Sequence, residues 1–146
     1  MSEQNFDALK LENQMCFPLY ACARETIKLY KPYLDQIDLT YTQYITMLVL
    51  WEHKQVTVKE LGTYLYLDSG TLTPLLKKLE EKGLVTRRRS TTDERNLIVG
   101  ITPAGEALKR EAAHIPIEME KCLLLNAEER ITLYKLLYKM LLYVSE

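Results

Sequence analysis

Gly83-Leu84-Val85-Thr86-Arg87-Arg88-Arg89-Ser90-Thr91-Thr92-Asp93-Glu94-Arg95-Asn96-Leu97-Ile98-Val99-Gly100-Ile101-Thr102-Pro103 is the stretch whose reading decides the fold. Two short runs, Leu84 to Arg89 and Leu97 to Ile101, flank a polar tip from Ser90 to Arg95, the pattern of a β-hairpin. Val85 falls on the same side as Arg87 and Arg89, whereas Leu97, Val99 and Ile101 are expected to alternate toward the body, as a two-stranded wing with one wet side requires. Gly83 is a C-cap candidate for the helix before the hairpin. Thr102-Pro103 opens the helix after it, with a capping hydroxyl followed by a residue whose missing N–H costs nothing in the first turn.

Working outward, Leu72, Leu75, Leu76 and Leu79 stand at i, i+3, i+4 and i+7 and define one apolar helix face. The turn Leu67-Asp68-Ser69-Gly70 begins this helix; its other face carries Gly70, Thr73 and Lys77, and Ser69 and Thr71 flank its N-terminus. Thr57 is placed to cap a short helix through Leu65, and Thr40 or Thr42 a helix through Trp51. Apolar residues also recur at helical spacing from Leu11 to Tyr33, and from Pro103 to Val144 with an interruption at Pro116. The expected fold is mainly α with a small β-hairpin wing. A winged helix-turn-helix unit over 40–101 lies between helical arms at 11–34 and 103–144, all within a single domain, 1–146.

At 146 residues and 47% hydrophobic the chain supports one core. No apolar run approaches the ~18 residues of a membrane span, and Met1 to Gln14 has no signal-peptide core, so a cytoplasmic protein with no membrane partner is expected. Cys16, Cys22 and Cys122 are odd in number and form no CxxC pair, which suits free thiols in a reducing compartment. Neither His53 nor His114 stands at ligand spacing from a cysteine, so no metal and no cofactor is expected.

The net charge of −1 gives no bulk sign of nucleic acid. Its distribution does: from Lys77 to Arg95 seven basic residues face four acids, a local net of +3. Hydroxyls and free amides at a recognition-type helix suit phosphates and base edges, and an arginine at a wing tip suits the negative potential of a minor groove. Ser69, Gly70, Thr71, Thr73, Lys77, Arg87, Arg89, Asp93 and Arg95 are therefore the DNA-binding candidates, with Asp93 placed to aim Arg95 through a bidentate pair. The plain alternative for each element is an amphipathic helix with a solvated face and a charged hairpin in water.

Asp93-Glu94-Arg95-Asn96-Leu97-Ile98-Val99-Gly100-Ile101-Thr102 resembles the wing signature of the MarR family of regulators. Leu11-Glu12-Asn13-Gln14-Met15-Cys16-Phe17 and Tyr66-Leu67-Asp68-Ser69-Gly70-Thr71-Leu72-Thr73-Pro74-Leu75-Leu76 are similar to its OhrR branch, which senses organic hydroperoxides through a cysteine of the first helix. The resemblance implies a double-stranded, pseudo-palindromic DNA operator, an intertwined homodimer, and an organic hydroperoxide as effector. The last helix agrees, because Ile131, Leu136, Leu137, Met140, Leu141 and its tyrosines exceed one core-facing stripe and call for a partner.

Cys16, Tyr20, Ala23, Ile27 and Tyr30 share one stripe of the first helix. Tyr20 lies one turn from Cys16. Tyr30, fourteen residues on and roughly 21 Å along a helix, reaches only a partner's sulfur. The resemblance points to both phenols as partners of the Cys16 thiolate, and such donors favour the nucleophilic, charged form. Cys16 is expected beyond the first helical turn, where the dipole helps little, and Pro18 to bend the helix there. Cys22, on another face, is read as packing; Cys122 is a possible resolving cysteine, with a small thiol as the alternative cap for the oxidised sensor. Two further readings stand beside the redox repressor. One is a MarR-type repressor released by a small phenolic ligand, with Cys16 incidental. The other is a thiol peroxidase, for which the thioredoxin-like βαβ pattern is missing.

Overall fold

A computed structural model describes residues 4–93 and 95–144. Glu94, within the wing signature, and the ends of the 1–146 domain lie outside the described residues. The chain runs α1 (Cys16–Asp35), α2 (Tyr41–His53), β1 (Gln55–Thr57), α3 (Val58–Leu65), α4 (Ser69–Glu81), β2 (Val85–Arg89), β3 (Leu97–Ile101), α5 (Pro103–Ala112), α6 (Ile115–Cys122) and α7 (Ala127–Val144). Among the described residues no helix is long and apolar enough to cross a membrane.

Side-chain oxygens start these helices where the sequence predicts. Thr40 forms a full capping box with Gln43 for α2, Thr57 caps α3 through the Glu60 amide, and Thr102 caps α5 through the Gly105 amide. Asp68 caps α4, its Oδ1 accepting from the Thr71 amide at 2.7 Å. After α4 the chain turns through Gly83 at φ +75°, where a glycine carries no Cβ penalty.

The wing differs from expectation in two ways. It has three strands, ordered β1-β3-β2 and all antiparallel, because Gln55–Thr57 pairs with Gly100 to Ile98. A three-residue strand between two helices is too short to leave a period-2 signal. The register also overturns the assignment of sides. Val85 pairs with Ile101, Arg87 with Val99 and Arg89 with Leu97, and directly opposite residues share a face. Arg87 and Arg89 thus share the face of buried Val85 and Val99, Arg87 partly covered and Arg89, beyond the core at the strand's end, exposed.

The N-terminal arm starts later than its apolar spacing suggests. Asn13 donates to the Asp7 carbonyl and Gln14 to those of Ala8 and Lys10. These bonds tie together two short 3-10 turns that backbone hydrogen bonds close, and α1 begins only at Cys16. Pro18 is then the third helical residue, where no intrahelical donor is lost, so it does not interrupt the helix. The C-terminal arm breaks twice. One break precedes Pro116, which sits in the first turn of α6. The other passes through Leu124 at φ +52° to Asn126, which forms a reciprocal cap with Glu129.

The core centres on the DNA unit and takes in residues of both arms, Leu34 from α1 and Ala112, Ile115 and Met119 from α5 and α6. Met47, Leu50, Leu61, Leu72, Leu76, Leu79, Val85, Val99 and Ile115 are essentially inaccessible, and Trp51 donates its indole N–H to the Gly105 carbonyl at 2.9 Å. α7 has no buried residue at all.

Candidate nucleic-acid interface and thiol site

α4 presents the two faces its sequence predicts. Leu72, Leu75, Leu76 and Leu79 are buried, while Ser69, Gly70, Thr71, Thr73 and Lys77 are exposed. The Thr73 hydroxyl donates to the Ser69 carbonyl at 2.8 Å, which sets its rotamer. Beside this helix start lies a cleft of about 450 Å³ lined by Lys59, Thr63 and Ser69 over Gly62, Leu67 and Leu72. Lys59 and Thr63 do not stand out in the sequence, since on a short helix nothing separates one exposed lysine from another.

At the wing tip Asp93 holds Arg95, through one oxygen and not the fork expected. Its Oδ1 accepts from the Arg95 backbone N–H at 3.0 Å and from Nε at 3.3 Å. The arginine side chain is 91% exposed, an aimed and accessible cation. Arg87 is placed differently. Its Nη2 donates to Glu80 Oε1 at 3.1 Å and its backbone N–H to Glu80 Oε2 at 3.1 Å, with the side chain only 22% exposed. Arg89 ends β2 as an exposed residue that also has interactions within the chain.

Lys82, just after α4, reaches back to the corner between α1 and α2. It donates to the Asp38 carbonyl and to Gln43 Oε1, the latter at 3.2 Å. The C-terminal end of α4 is therefore fastened both to the wing and to the α1–α2 corner.

Two carboxyls in this unit are held below the usual carboxylate range. For Asp68 the cause is first the Thr71 amide bond at the helix cap; for Glu80 it is first the Arg87 side-chain hydrogen bond. A carboxyl depressed in the fold binds fewer protons than in the unfolded chain, so its contribution is present above the ordinary carboxylate pKa and lost as pH falls through and below it. The helix-turn-helix unit should accordingly lose stability between about pH 5 and pH 3. The loss in this window should shrink in an Asp68→Asn, Glu80→Gln double variant, as measured by urea midpoints across that range.

Cys16 is the first residue of α1 and exposed. The expectation that it lies beyond the first turn is corrected: the 3-10 turns before it delay the helix, so the sulfur sits where unpaired amides and the positive end of the helix dipole gather. Tyr20, one turn on, is exposed, and its hydroxyl accepts from Arg24 Nη1 at 3.5 Å with that guanidinium 5.6 Å from the ring centroid. Tyr30 is part of a cluster, its ring 5.0 Å from Tyr41 and 5.8 Å from Tyr44. Burial, then Tyr41, pushes the Tyr30 hydroxyl up, and burial with Tyr30 and Tyr41 takes Tyr44 to about 12. These phenols stay neutral and able to donate.

Cys22, read as a packing residue, is exposed on the single chain, as the first half of α1 projects past its own core. Cys122 closes α6, partly buried. Among the described residues no group of three or more His, Cys, Asp or Glu is arranged to hold a metal ion.

Comparison with known proteins places these features. Residues 28–112 match the family described as transcriptional regulator SarA/Rot. The organic hydroperoxide resistance transcriptional regulator of Bacillus subtilis is 55% identical over 114 residues, 78% of each chain. Among solved structures, reduced AbfR bound to DNA is 34% identical with a TM-score of 0.79, covering 96% of this chain and 98% of that one. The disulfide form of AbfR, a Staphylococcus epidermidis protein, gives 33% and 0.67, covering 96% of each.

Proposed function

Because the chain belongs to the MarR/SarA family of transcriptional regulators, we propose that it is a cytoplasmic, homodimeric repressor that binds operator DNA when reduced and releases it when an organic hydroperoxide oxidises Cys16. The observation that carries this reading is an exposed cysteine at the start of α1 in a chain 55% identical to an organic hydroperoxide resistance regulator. The conformation lies nearer DNA-bound AbfR, whether reduced or overoxidised, than its disulfide form, with TM-scores of 0.79, 0.76 and 0.67.

On DNA, Ser69, Gly70, Thr71, Thr73 and Lys77 enter the major groove, while Arg89 and the Asp93-aimed Arg95 follow the wing into the adjacent minor groove. Arg87 braces the wing. The dimer sets two such units one or more helical turns apart on a pseudo-palindrome. It also covers α7, whose Ile131, Leu133, Leu136 and Met140 are all exposed on the single chain.

In the switch, the Cys16 thiolate attacks the OH-bearing oxygen of ROOH; the S–O bond forms as the O–O bond breaks, the alkoxide leaves and takes a proton from water to become ROH, and Cys16 becomes the sulfenic acid. A second thiol then displaces water to form a disulfide. That thiol is the partner's Cys122 or a small cellular thiol. Tyr20 and the partner's Tyr30 supply phenolic donors to the sulfur.

The test is fluorescence anisotropy of a duplex from the gene's own upstream region, before and after one equivalent of cumene hydroperoxide. Tight binding lost on oxidation and restored by dithiothreitol is expected; binding indifferent to peroxide overturns the sensor. A second expected result concerns the wing. Arg95→Ala should weaken binding roughly tenfold and flatten the slope of log affinity against log salt by about one, as loss of one phosphate-level cation does. An unchanged slope would remove Arg95 from the interface.

A further inference from the structure

We infer that Glu80 is a positioning residue for DNA binding: its carboxylate clamps the wing to the recognition helix through the backbone and the side chain of Arg87. The inference rests on the DNA-binding reading and adds to it a residue that touches no DNA.

β2 is an edge strand, because the sheet order is β1-β3-β2. An edge strand leaves half its amide hydrogens without a ladder partner. The Arg87 N–H is one of these, and Glu80 Oε2 captures it at 3.1 Å, in the position a fourth strand would occupy. The other oxygen takes Arg87 Nη2 at 3.1 Å. Both acceptors of one helix residue are thus committed to one strand residue. Such charge-assisted pairs are the strong kind, and two from one carboxylate fix orientation as well as distance.

Arg87 is also half-buried, although the Glu80 side chain that caps it is 40% exposed. Arg87 faces the body opposite buried Val99, its side chain 22% exposed, with Nε buried and unpartnered in the described structure. A guanidinium held this way does not swing out to a phosphate. Its value lies in the angle it fixes. The recognition helix and the wing must enter neighbouring grooves together, and a wing that wandered would have to be ordered at each binding event.

Electrostatics alone predict the opposite sign. A carboxylate close to the DNA-facing surface repels phosphates, so deleting it should tighten binding if Glu80 does nothing else. The sign of the effect therefore decides.

The experiment uses the full-length protein, reduced, with Glu80→Ala, Arg87→Met and the double variant. Anisotropy is measured on the gene's own upstream duplex and on a scrambled duplex of equal composition, across a salt series. Each single variant is expected to bind the upstream duplex about tenfold more weakly, with scrambled-duplex binding and the salt slope unchanged, and the double variant no worse than either single. Glu80→Ala binding as tightly as wild type or more so overturns the clamp. So does Arg87→Met flattening the slope by about one with additive losses, since Arg87 would then be a phosphate contact.

Amide hydrogen exchange of Arg87 in the free protein tests the tie without DNA. At least tenfold faster exchange in Glu80→Ala supports it, and unchanged exchange overturns it. If wild type fails to distinguish the two duplexes, the DNA reading fails on its own, and the exchange result still decides the clamp.

Discussion

Cys16→Ser is expected to bind the upstream duplex as wild type does when reduced, and to keep that binding after a stoichiometric hydroperoxide that costs wild type roughly 100-fold in affinity. Serine replaces the sulfur by an oxygen of similar geometry at the exposed first residue of α1, so packing loses almost nothing. What it removes is the atom that can accept oxygen, form a sulfenic acid and then exchange into a disulfide. The size of the wild-type response is set by the difference in stability that oxidation imposes between DNA-competent and DNA-incompetent arrangements. A hundredfold shift needs a bias of about 2.7 kcal/mol, well within what rearranging an interface helix supplies. Tyr30→Phe separates the roles further. If a phenol of the partner assists the sulfur, the variant should react with peroxide more slowly yet release DNA fully once oxidised. If Cys16→Ser still releases DNA on oxidation, the switch lies in another cysteine; if wild type itself is indifferent to peroxide, a phenolic ligand acting between the arms becomes the reading to test.

Gly105→Ala is expected to be the most damaging small substitution on stability. A Cβ built there would lie 2.4 Å from the Leu84 carbonyl oxygen and 2.7 Å from Ile101 Cγ1. Neither neighbour can retreat cheaply. The Leu84 carbonyl already accepts the Thr102 amide at 3.1 Å, and Ile101 is locked in β3 opposite Val85. Gly105 itself is held on both sides, its amide donating to the Thr102 hydroxyl and its carbonyl accepting from Trp51. Alanine gains about 1 kcal/mol in helix propensity over glycine. Overpacking at a site with no slack costs about 3 kcal/mol or more, so the steric term wins. A fall in melting temperature on the order of 5 °C or more is expected by calorimetry. A change under about 1 °C would mean that α5 can slide on the wing. Because α5 joins the C-terminal arm to the DNA unit, the same variant should also blunt the redox response.

Much of the fold was legible because it is local. The leucine quartet of α4, the threonine caps of α2, α3 and α5, and the two long strands of the wing each declare themselves within a few residues, where periodicity and capping chemistry act. The Asn126–Glu129 cap of α7 was equally readable in principle, as Asn-x-x-Glu, but a continuous apolar pattern across it hid the break. β1 was not readable, since three residues carry no period. Helical spacing before Cys16 does not forbid the two backbone-closed 3-10 turns found there, which the Asn13 and Gln14 side chains tie together.

The candidate site divides in the same way. Cys16, the recognition-helix hydroxyls and the Asp93–Arg95 pair are all neighbours in sequence, so residue type and spacing suffice to place them. Arg87 and Arg89 pair with Val99 and Leu97 and so share their face of the hairpin, which the sequence does not show. Strand alternation tells which residues share a side, and only cross-strand register tells which side faces the body.

By itself the sequence determined the helix and hairpin order, the two faces of α4, the candidate thiol Cys16 and the concentration of positive charge near the wing. Tertiary structure alone decided the wing's register, the pairing of Arg87 with Glu80, the fastening of Lys82 to the α1–α2 corner and the clustering of Tyr30 with Tyr41 and Tyr44. The physical reason is separation along the chain. Caps and periodicities are set by contacts within one or two turns, whereas these pairings join residues brought together only after the helices and the sheet have packed.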